Sequence, residues 1–317
     1  MAQKIVITRK LPEIATQLLV AKGYDVDSFL GDEEMHPEEM MMRASHCDAI
    51  LCSLTEKIDY HFFSHSCSLK VVSNYAVGFD NIDLAAATHF NVMVTNTPNV
   101  LSNATAEMAW ALLFATTRRI VAAHRYIQQK EFTGCNPFLF LGQDISGKTL
   151  GLIGAGRIGT AMALKSRGFH MPILYYNRSQ NSILEKELDA RKVDLQTLCQ
   201  QSDFISIHLP LTPETYHLLQ AKHFSQMKNT AYLINTGRGA VVDEDALVAA
   251  LHQGQISGAG FDVYEREPEI SEALLNAPNV VLTPHIAAST KQTREAMAKI
   301  AAENIITVLE GWIPPYL

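Results

Sequence analysis

The 317-residue sequence is long enough for two domains, each with a buried core of its own. With 47% hydrophobic residues, 19% charged residues and a net charge of −7, the composition is that of an ordinary globular protein and gives no indication of a nucleic-acid partner. The five cysteines lack C-x-x-C spacing, and the sequence has neither a signal-peptide pattern nor an apolar span of about 18 residues, which predicts a cytoplasmic protein without membrane contact.

The first hundred residues alternate short apolar runs with stretches of helical composition. The runs are Ile5–Ile7, Tyr24–Phe29, Ala49–Ser53, Lys70–Asn74 and Val92–Thr95. Such alternation predicts parallel strands connected by helices. This block closes at Pro98, and Ser102–Gln129 is predicted to form one long helix rich in Ala, Leu and Met.

A second alternation of strands and helices follows. Its predicted strands are Thr149–Gly154, Pro172–Asn177, Phe204–Leu209, Ala231–Thr236, Gly258–Val263 and Val280–Thr283. Six such strands predict a doubly wound nucleotide-binding domain. The last helix, Thr290–Leu309, has too little partner surface of its own, so we expect it to pack back on the first block.

The predicted fold class is therefore α/β, with two Rossmann-like or flavodoxin-like parallel-sheet domains separated by a cleft. Residues 1–98 and 287–317 are predicted to form one discontinuous domain, and residues 99–286 the other. The hinges are expected near Pro98 and Pro284.

Gly154, Gly156 and Gly159 form a G-x-G-x-x-G motif between a predicted strand and a helix-like stretch. The first glycine permits a tight turn, the second lets a pyrophosphate approach the backbone, and the third lets the helix press against the strand. The N-terminus of that helix attracts the anion. Glycine triplets also occur in plain turns, but the strand and the helix on either side favour a dinucleotide site.

The end of the next strand indicates which dinucleotide is bound. In an NAD-binding unit, an Asp or Glu about 20 residues after the glycines accepts the ribose hydroxyls. Asn177 stands there instead, followed by Arg178 and Ser179. A guanidinium and a hydroxyl can bind a 2′-phosphate that a carboxylate would repel, which favours NADP. In the alternative interpretation, Arg178 is a solvated residue that stacks on adenine while either NAD or NADP binds.

Three polar residues, Arg238, Glu267 and His285, lie at or just beyond the carboxyl ends of predicted strands, where ligands of open α/β sheets bind. A guanidinium can pair with a carboxylate and polarise an adjacent carbonyl. The imidazole exchanges protons near neutrality, and Glu267 would orient it and favour its protonated form. Taken one at a time, Arg238 is better explained as a surface salt-bridge partner, Glu267 as a charge in a solvated loop, and His285 as a core histidine whose hydrogen bonds are satisfied. Their conjunction with a nicotinamide site predicts reduction of a 2-oxo acid.

No metal site is predicted. His61 and His65 are four residues apart, but nothing nearby completes a set of zinc ligands, so a solvated helix face is the better interpretation.

The sequence resembles the D-isomer-specific 2-hydroxyacid dehydrogenases, most closely the glyoxylate/hydroxypyruvate reductases. The resemblance runs through almost the whole chain. Besides the glycine motif, its segments are Asn74–Asn81, Thr95–Pro98, Thr105–Glu107, His208–Thr215, Asn235–Gly239, Gly258–Val263, Glu267–Pro268 and Thr283–Ile286.

The resemblance implies that Arg238 binds substrate, that His285 donates the proton and that Glu267 is its partner. The substrate carboxylate would be held by the backbone amides of Val77 and Gly78, with Leu54 lining the pocket. The implied cofactor contacts, besides the glycines, are Arg157 and Ile158, Asn177, Arg178 and Ser179 at the ribose, Pro210 and Thr215 beside the pyrophosphate and ribose, Thr236 near the nicotinamide, and Asp262 at its carboxamide.

The family further implies a homodimer joined through the nucleotide domain and its long helix. Hydride from NADPH would add to the carbonyl carbon of a small 2-oxo acid while His285 protonates the oxygen, although NADH remains an alternative cofactor. One departure concerns pocket size: some glyoxylate reductases have tryptophan in the aromatic segment before the nucleotide domain, whereas residues 136–141 contain none.

Other functions share parts of this pattern. A 2-ketogluconate-type or broad-specificity D-2-hydroxyacid dehydrogenase would share every motif and differ in pocket volume. A phosphoglycerate dehydrogenase is disfavoured because the ribose carboxylate is absent and no regulatory domain follows residue 317. A nucleotide-sensing binding protein, similar to the C-terminal-binding-protein corepressors, would need cofactor binding but not the full catalytic set.

Overall fold

Two parallel sheets organise the chain in the computed structural model, which describes residues 2–31 and 33–315. One sheet has five strands and the other has seven, and helices connect the strands. The predicted α/β class with two parallel-sheet domains is confirmed. Contacts divide the chain into unit 1, which comprises residues up to Leu101 and from Ser289 on, and unit 2, which comprises Ser102–Ala288.

Unit 1 is built on the five-stranded sheet. Its strands are β1 (Lys4–Ile7), β2 (Asp25–Ser28), β3 (Ala49–Cys52), β4 (Val71–Asn74) and β5 (Met93–Thr95), and its helices are α1 (Ile14–Ala21), α2 (Pro37–Ala44), α3 (Tyr60–Ser64), α4 (Leu84–His89) and α13 (Lys291–Leu309). The strand order is β2-β1-β3-β4-β5. Every residue of β3 and β4 is buried, as expected for central strands of a parallel sheet covered on both faces.

Helix α13 is fastened to β4 and to the residue that follows it. The Ser73 hydroxyl donates to the Ala301 carbonyl at 3.0 Å, and the Tyr75 hydroxyl donates to the Arg294 carbonyl at 2.7 Å. Thr290 caps this helix by accepting a hydrogen bond from the Thr293 N–H. The C-terminal helix is therefore an integral part of unit 1.

Unit 2 is built on the seven-stranded sheet. Its strands are β6 (Leu150–Ile153), β7 (Ile173–Tyr176), β8 (Arg191–Lys192), β9 (Phe204–Ile207), β10 (Tyr232–Asn235), β11 (Gly258–Phe261) and β12 (Val280–Leu282). Its α-helices are α5 (Ser102–Thr117), α6 (Ile120–Gln128), α7 (Arg157–Lys165), α8 (Ser182–Leu188), α9 (Leu195–Gln201), α10 (Ala221–Phe224), α11 (Glu244–His252) and α12 (Glu272–Leu275), and short 3₁₀ helices cover Ser166–Phe169 and Gly239–Val241.

The strand order in unit 2 is β12-β11-β10-β9-β6-β7-β8. The chain runs outward from β6 to β8 and then returns to the other side of β6 at β9, so the order reverses between β6 and β9. Ligands of doubly wound sheets bind at the carboxyl ends of the strands at such a reversal. The glycine motif follows β6, and His208 follows β9, which places both at this point.

Residues 102–129 form two helices rather than the single helix that the sequence predicts. Arg119 has a φ angle of 53°, and a left-handed residue of this kind ends a helix. Many residues of α5 are buried, whereas α6 has no fully buried residue. Within residues 2–31 and 33–315, no helix combines the length and the apolar character needed to cross a lipid bilayer.

The sequence also fails to predict the seventh strand of unit 2. Strand β8 has only two residues, both charged and both exposed, and it pairs with β7 at the edge of the sheet. Recognising a strand from its sequence requires an apolar run or an alternation, and two charged residues provide neither.

Candidate active site

His285 and Glu267 form a hydrogen-bonded pair in unit 2. The Nδ1 atom of His285 lies 2.7 Å from Oε2 of Glu267, and 26% of the His285 side chain and 27% of the Glu267 side chain are exposed. The other oxygen of Glu267 accepts the Tyr264 N–H at 2.9 Å. Because the carboxylate engages Nδ1, Nε2 is the ring nitrogen left to exchange a proton with a ligand.

The electrostatic surroundings keep Glu267 ionised. Burial is the largest single influence on its pKa and raises it. Three neighbours lower the pKa: His285 through its hydrogen bond and its charge, Tyr264 through its N–H, and Arg238 through its charge. Together they leave the pKa below its ordinary value. The structure therefore brings the predicted residues Arg238, Glu267 and His285 together around one carboxylate.

A buried carboxylate fixes the turn that carries His285. Asp262 follows β11 and is fully buried. Its Oδ1 accepts hydrogen bonds from the Thr283 hydroxyl at 2.6 Å and the Ile286 N–H at 2.8 Å, and its Oδ2 accepts the Ala287 N–H at 2.7 Å. This turn holds His285 at a φ angle of 53°, which a non-glycine residue keeps only where its surroundings fix it.

Arg238 follows β10 and lies in a segment packed against the Tyr264 backbone. A Cβ atom at Gly239 would lie 1.9 Å from the Tyr264 carbonyl carbon, so only glycine permits this approach. The Asn235 side chain donates to the Arg238 carbonyl at 3.0 Å. These contacts fix the backbone that presents the guanidinium near Glu267.

The glycine motif has the shape of a phosphate cradle. Gly154 has a φ angle of 98°, and a Cβ atom at Gly159 would lie 2.2 Å from the Gly154 carbonyl oxygen. A Cβ atom at Gly156 would meet no described atom within 4 Å, and within the described chain no side chain caps the start of α7. The first N–H groups of α7, which begins with Arg157 and Ile158, are therefore not capped by a side chain of the described chain, which suits a dinucleotide pyrophosphate.

His208 lies beneath this cradle. A Cβ atom at Gly154 would lie 2.8 Å from the His208 carbonyl group. The ring Nε2 is 3.0 Å from the Ser206 hydroxyl, and Nδ1 is 3.5 Å from the hydroxyl of Thr236, the residue expected near the nicotinamide. Burial lowers the His208 pKa to about 3, so the ring is neutral. Sequence reasoning gave this histidine no role of its own.

The turn after β7 contains the three residues predicted to contact the ribose. Arg178 and Ser179 are exposed, and the Asn177 side chain donates to the Ser179 carbonyl at 3.1 Å. Asn181 ties this turn to the glycine motif, because its Nδ2 donates to the Ala155 carbonyl at 2.8 Å. Sequence reasoning missed Asn181, although an Asn directly before a helix is a capping signal that could have found it.

In the loop between β9 and α10, the hydroxyl of Thr215, a predicted cofactor contact, makes hydrogen bonds within the loop. The Thr215 hydroxyl donates to the Pro210 carbonyl at 2.7 Å and accepts the Thr212 N–H at 2.8 Å. Thr215 therefore shapes the loop that presents Pro210 at the carboxyl end of β9.

In unit 1, the predicted substrate loop has two backbone amides with a fixed direction. The Ala76 carbonyl accepts the Thr97 N–H at 2.8 Å, and the Val77 carbonyl accepts the Asn96 side chain at 2.9 Å. Since C=O and N–H point in opposite directions across a trans peptide, the Val77 and Gly78 amides point away from residues 96 and 97. Neither amide has an acceptor among residues 2–31 and 33–315. Leu54, the other predicted lining residue, follows β3.

Known proteins are similar to this chain along its whole length. The NAD-binding-domain model of the D-isomer specific 2-hydroxyacid dehydrogenases matches residues 110–287. All of the chain aligns with the glyoxylate reductases of Thermococcus litoralis, at 44% identity over 97% of that protein, and of Pyrococcus horikoshii, at 45% identity over 96%.

A solved structure with the same fold contains both a cofactor and a small acid. It is the NADPH-dependent glyoxylate/hydroxypyruvate reductase of Sinorhizobium meliloti in complex with NADP and malonate. It matches with a TM-score of 0.87 and 30% identity, over 98% of this chain and 95% of that chain. The chain therefore belongs to the D-isomer specific 2-hydroxyacid dehydrogenase family, oxidoreductases that act on a CH–OH group with a nicotinamide cofactor.

Proposed function

We propose that this chain is an NADPH-preferring reductase of small 2-oxo acids, which converts glyoxylate to glycolate and hydroxypyruvate to D-glycerate. The hydrogen-bonded pair of His285 and Glu267 beside Arg238 carries the proposal, because it combines a proton donor with a cation at the carboxyl edge of a dinucleotide-binding sheet. The names of the relatives support this substrate class: two are glyoxylate reductases, and one is a glyoxylate/hydroxypyruvate reductase.

The substrate carboxylate is held, in this proposal, by the amides of Val77 and Gly78, with Leu54 in the pocket wall. Two N–H groups that point the same way and lack an acceptor within the described chain are suited to an anion. Unit 1 is accordingly assigned as the substrate domain and unit 2 as the cofactor domain.

The proton transfer follows from the arrangement around His285. A bound nicotinamide supplies the hydride for the carbonyl carbon. Arg238 polarises the carbonyl and stabilises the negative charge that develops on its oxygen. Nε2 of His285 donates a proton to that oxygen, while the Glu267 carboxylate at Nδ1 holds the ring and stabilises its protonated form before the transfer.

The cofactor assignment depends on the turn after β7. Asn177, Arg178 and Ser179 offer an amide, a guanidinium and a hydroxyl, and no carboxylate stands at the usual ribose position. In this proposal NADPH is preferred and NADH is a weaker substitute. Thr236 and Asp262 lie toward the nicotinamide end, where Asp262 has one acceptor position beyond the three hydrogen bonds that fix the His285 turn.

The proposal extends to the assembly and the compartment of the protein. Exposed apolar side chains cluster on α6 and on the segment that follows it, which supports a homodimer joined through this part of unit 2. All five cysteines are unpaired, which supports the reducing environment of the cytoplasm.

The proton-donor role is tested by replacing His285 with Ala. NADPH oxidation in the presence of glyoxylate and of hydroxypyruvate is measured for both proteins, together with the Kd of NADPH. We expect turnover to fall by about 100-fold or more, with the Kd unchanged within about twofold. The matched control is His252→Ala, at an exposed histidine of α11. Undiminished turnover of the His285 variant would remove His285 from the mechanism, and a wild-type protein that reduces neither acid would overturn the proposed function.

A further inference from the structure

Lys192 lies against the turn that is proposed to bind the adenosine ribose. Strand β8 runs parallel to β7, with Lys192 opposite Tyr175. The Lys192 ammonium donates to the Arg178 carbonyl at 2.9 Å, so a second cation sits beside the Arg178 backbone. A residue from an adjacent strand, not only the turn itself, therefore contributes charge at this position.

Lys192 also lines a cavity of about 660 Å³ at the carboxyl ends of β7 and β8. Its other lining residues are Tyr176, Asn177, Gln180, Val193, Asp194 and Thr197. The cavity thus shares Asn177 with the proposed ribose contact. A group attached to the ribose beside Asn177 has room to extend toward the ammonium of Lys192.

The positive charge of Lys192 is not neutralised by an ion pair. Within residues 2–31 and 33–315, no carboxylate oxygen lies within 4.0 Å of its Nζ. The acidic residue in the cavity wall, Asp194, is committed to α9, where it accepts the Thr197 N–H at 2.8 Å and the Thr197 hydroxyl at 3.0 Å. The Thr197 N–H is the largest influence that lowers the Asp194 pKa.

Arg178, in contrast, already has an acidic neighbour. The pKa of Glu214 is lowered, first by a hydrogen bond with the Thr212 side chain and also by the charge of Arg178. A phosphate monoester carries a charge of about −1.5 to −2 near pH 7. A single guanidinium carries one positive charge and so leaves part of the phosphate charge uncompensated, which a second cation can balance.

We infer that Lys192 is a second cation for the 2′-phosphate of NADP(H) and a residue that determines cofactor specificity. The inference rests on the NADPH preference proposed above. An ammonium has three N–H donors, so Nζ can keep its bond to the Arg178 carbonyl and donate another to a phosphate oxygen. NADH has only a hydroxyl at this place and gains little from the charge.

The inference is tested with Lys192→Gln, which removes the charge and keeps a polar side chain. Titration calorimetry gives the Kd of NADPH and of NADH for the wild type and the variant. We expect the NADPH Kd to rise about tenfold and the NADH Kd to change by less than about twofold. Inhibition by 2′-AMP should weaken in parallel, while inhibition by 5′-AMP should not.

Arg191→Gln is the matched control. Arg191 precedes Lys192 in β8 and is also exposed, but successive side chains of a strand point to opposite faces. Arg191→Gln therefore removes one positive charge close to Lys192 but outside the cavity. The Kd values of NADPH and NADH should both stay within about twofold of the wild type. Equal melting temperatures of the wild type and both variants establish that folding is intact.

The outcomes separate this inference from the proposed cofactor preference. An equal change for both cofactors in Lys192→Gln, no change at all, or the same selective loss in Arg191→Gln would overturn the role of Lys192. A wild type that binds NADPH no more tightly than NADH would overturn the preference. A selective loss of NADPH affinity in Lys192→Gln would still support the role of Lys192 in that case.

Discussion

The two carboxylate oxygens of Glu267 bind different partners, since one holds the His285 ring and the other holds the Tyr264 backbone. The sequence predicts Glu267 and His285 as candidates because polar residues after apolar strands reach the ligand edge of a parallel sheet. It does not predict the three hydrogen bonds of Asp262, since they depend on the path of the chain between Thr283 and Ala287. Residue types are visible in a sequence, whereas the geometry of a turn is not.

Replacing Glu267 with Gln tests the pairing with His285. We expect kcat/KM for glyoxylate to fall about 100-fold, because the neutral amide no longer stabilises the protonated ring, while the Kd of NADPH stays within about twofold. Since its pKa lies below the ordinary value, Glu267 is ionised near neutral pH, and the comparison is made there.

Glu269→Gln is the control for this substitution, because it removes an exposed carboxylate from the same loop. The control should keep wild-type kinetics. If Glu267→Gln retains more than half of the wild-type kcat/KM near neutral pH, the acid–base role of the pair is wrong.

At the scale of elements, apolar patterning predicts the central strands well. Strands β3, β4, β6 and β9 are completely buried. Strands β3 and β6 appear in the sequence as continuous runs without a polar side chain, whereas β4 and β9 begin with two apolar residues and include a serine. The sequence-based predictions fail where the apolar pattern does not determine the secondary structure. Arg119 breaks the expected long helix through a left-handed conformation, and the charged strand β8 is held only by its pairing with β7. The missed strand contains Lys192, so this error concealed a candidate site residue.

The burial of His208, which follows β9, predicts how the stability of the protein depends on pH. The pKa of His208 is about 3 in the folded protein, against about 6.5 in an unfolded chain. Between these values the unfolded state binds a proton that the folded state does not, so the free energy of unfolding falls as the pH falls below about 6.5, by up to about 1.4 kcal/mol per pH unit from this group. In His208→Gln this contribution is absent.

Urea unfolding at pH 7 and pH 5 measures the effect. The destabilisation of His208→Gln relative to the wild type should be smaller at pH 5 than at pH 7, whereas His252→Gln, at an exposed position of α11, should give the same difference at both values. A His208→Gln difference that does not depend on pH would show that His208 is not held neutral by burial.

At the scale of the whole molecule, the exposed apolar surface of unit 2 is concentrated in one stretch of the chain. Ile120 and Ile127 of α6 are 52% and 56% exposed, and Phe138 in the following segment is 80% exposed. Ile120 and Ile127 are seven residues apart and so share a helix face. Exposed apolar side chains that share a helix face are typical of an interface, which is why a homodimer is proposed.

Ile127→Glu tests this assembly by placing a charge in the proposed interface. We expect light scattering coupled to size-exclusion chromatography to give a dimer for the wild type and a monomer for the variant at micromolar concentration, because burying an unpaired charge is unfavourable. Ile183→Glu is the control, since Ile183 is 55% exposed on α8 and lies outside the proposed interface. A monomeric wild type, or a dimer that survives Ile127→Glu, would exclude this interface.

The proposed activity and its cofactor preference are tested most directly by kcat/KM for glyoxylate reduction with NADPH and with NADH, measured in parallel on one preparation of the wild-type protein. We expect turnover with a preference for NADPH of about tenfold or more, which corresponds to about 1.4 kcal/mol of transition-state stabilisation. Equal or better turnover with NADH would contradict the assignment of the Asn177–Ser179 turn to the 2′-phosphate. The absence of turnover with both cofactors, for hydroxypyruvate as well as glyoxylate, would contradict the proposed reductase activity itself.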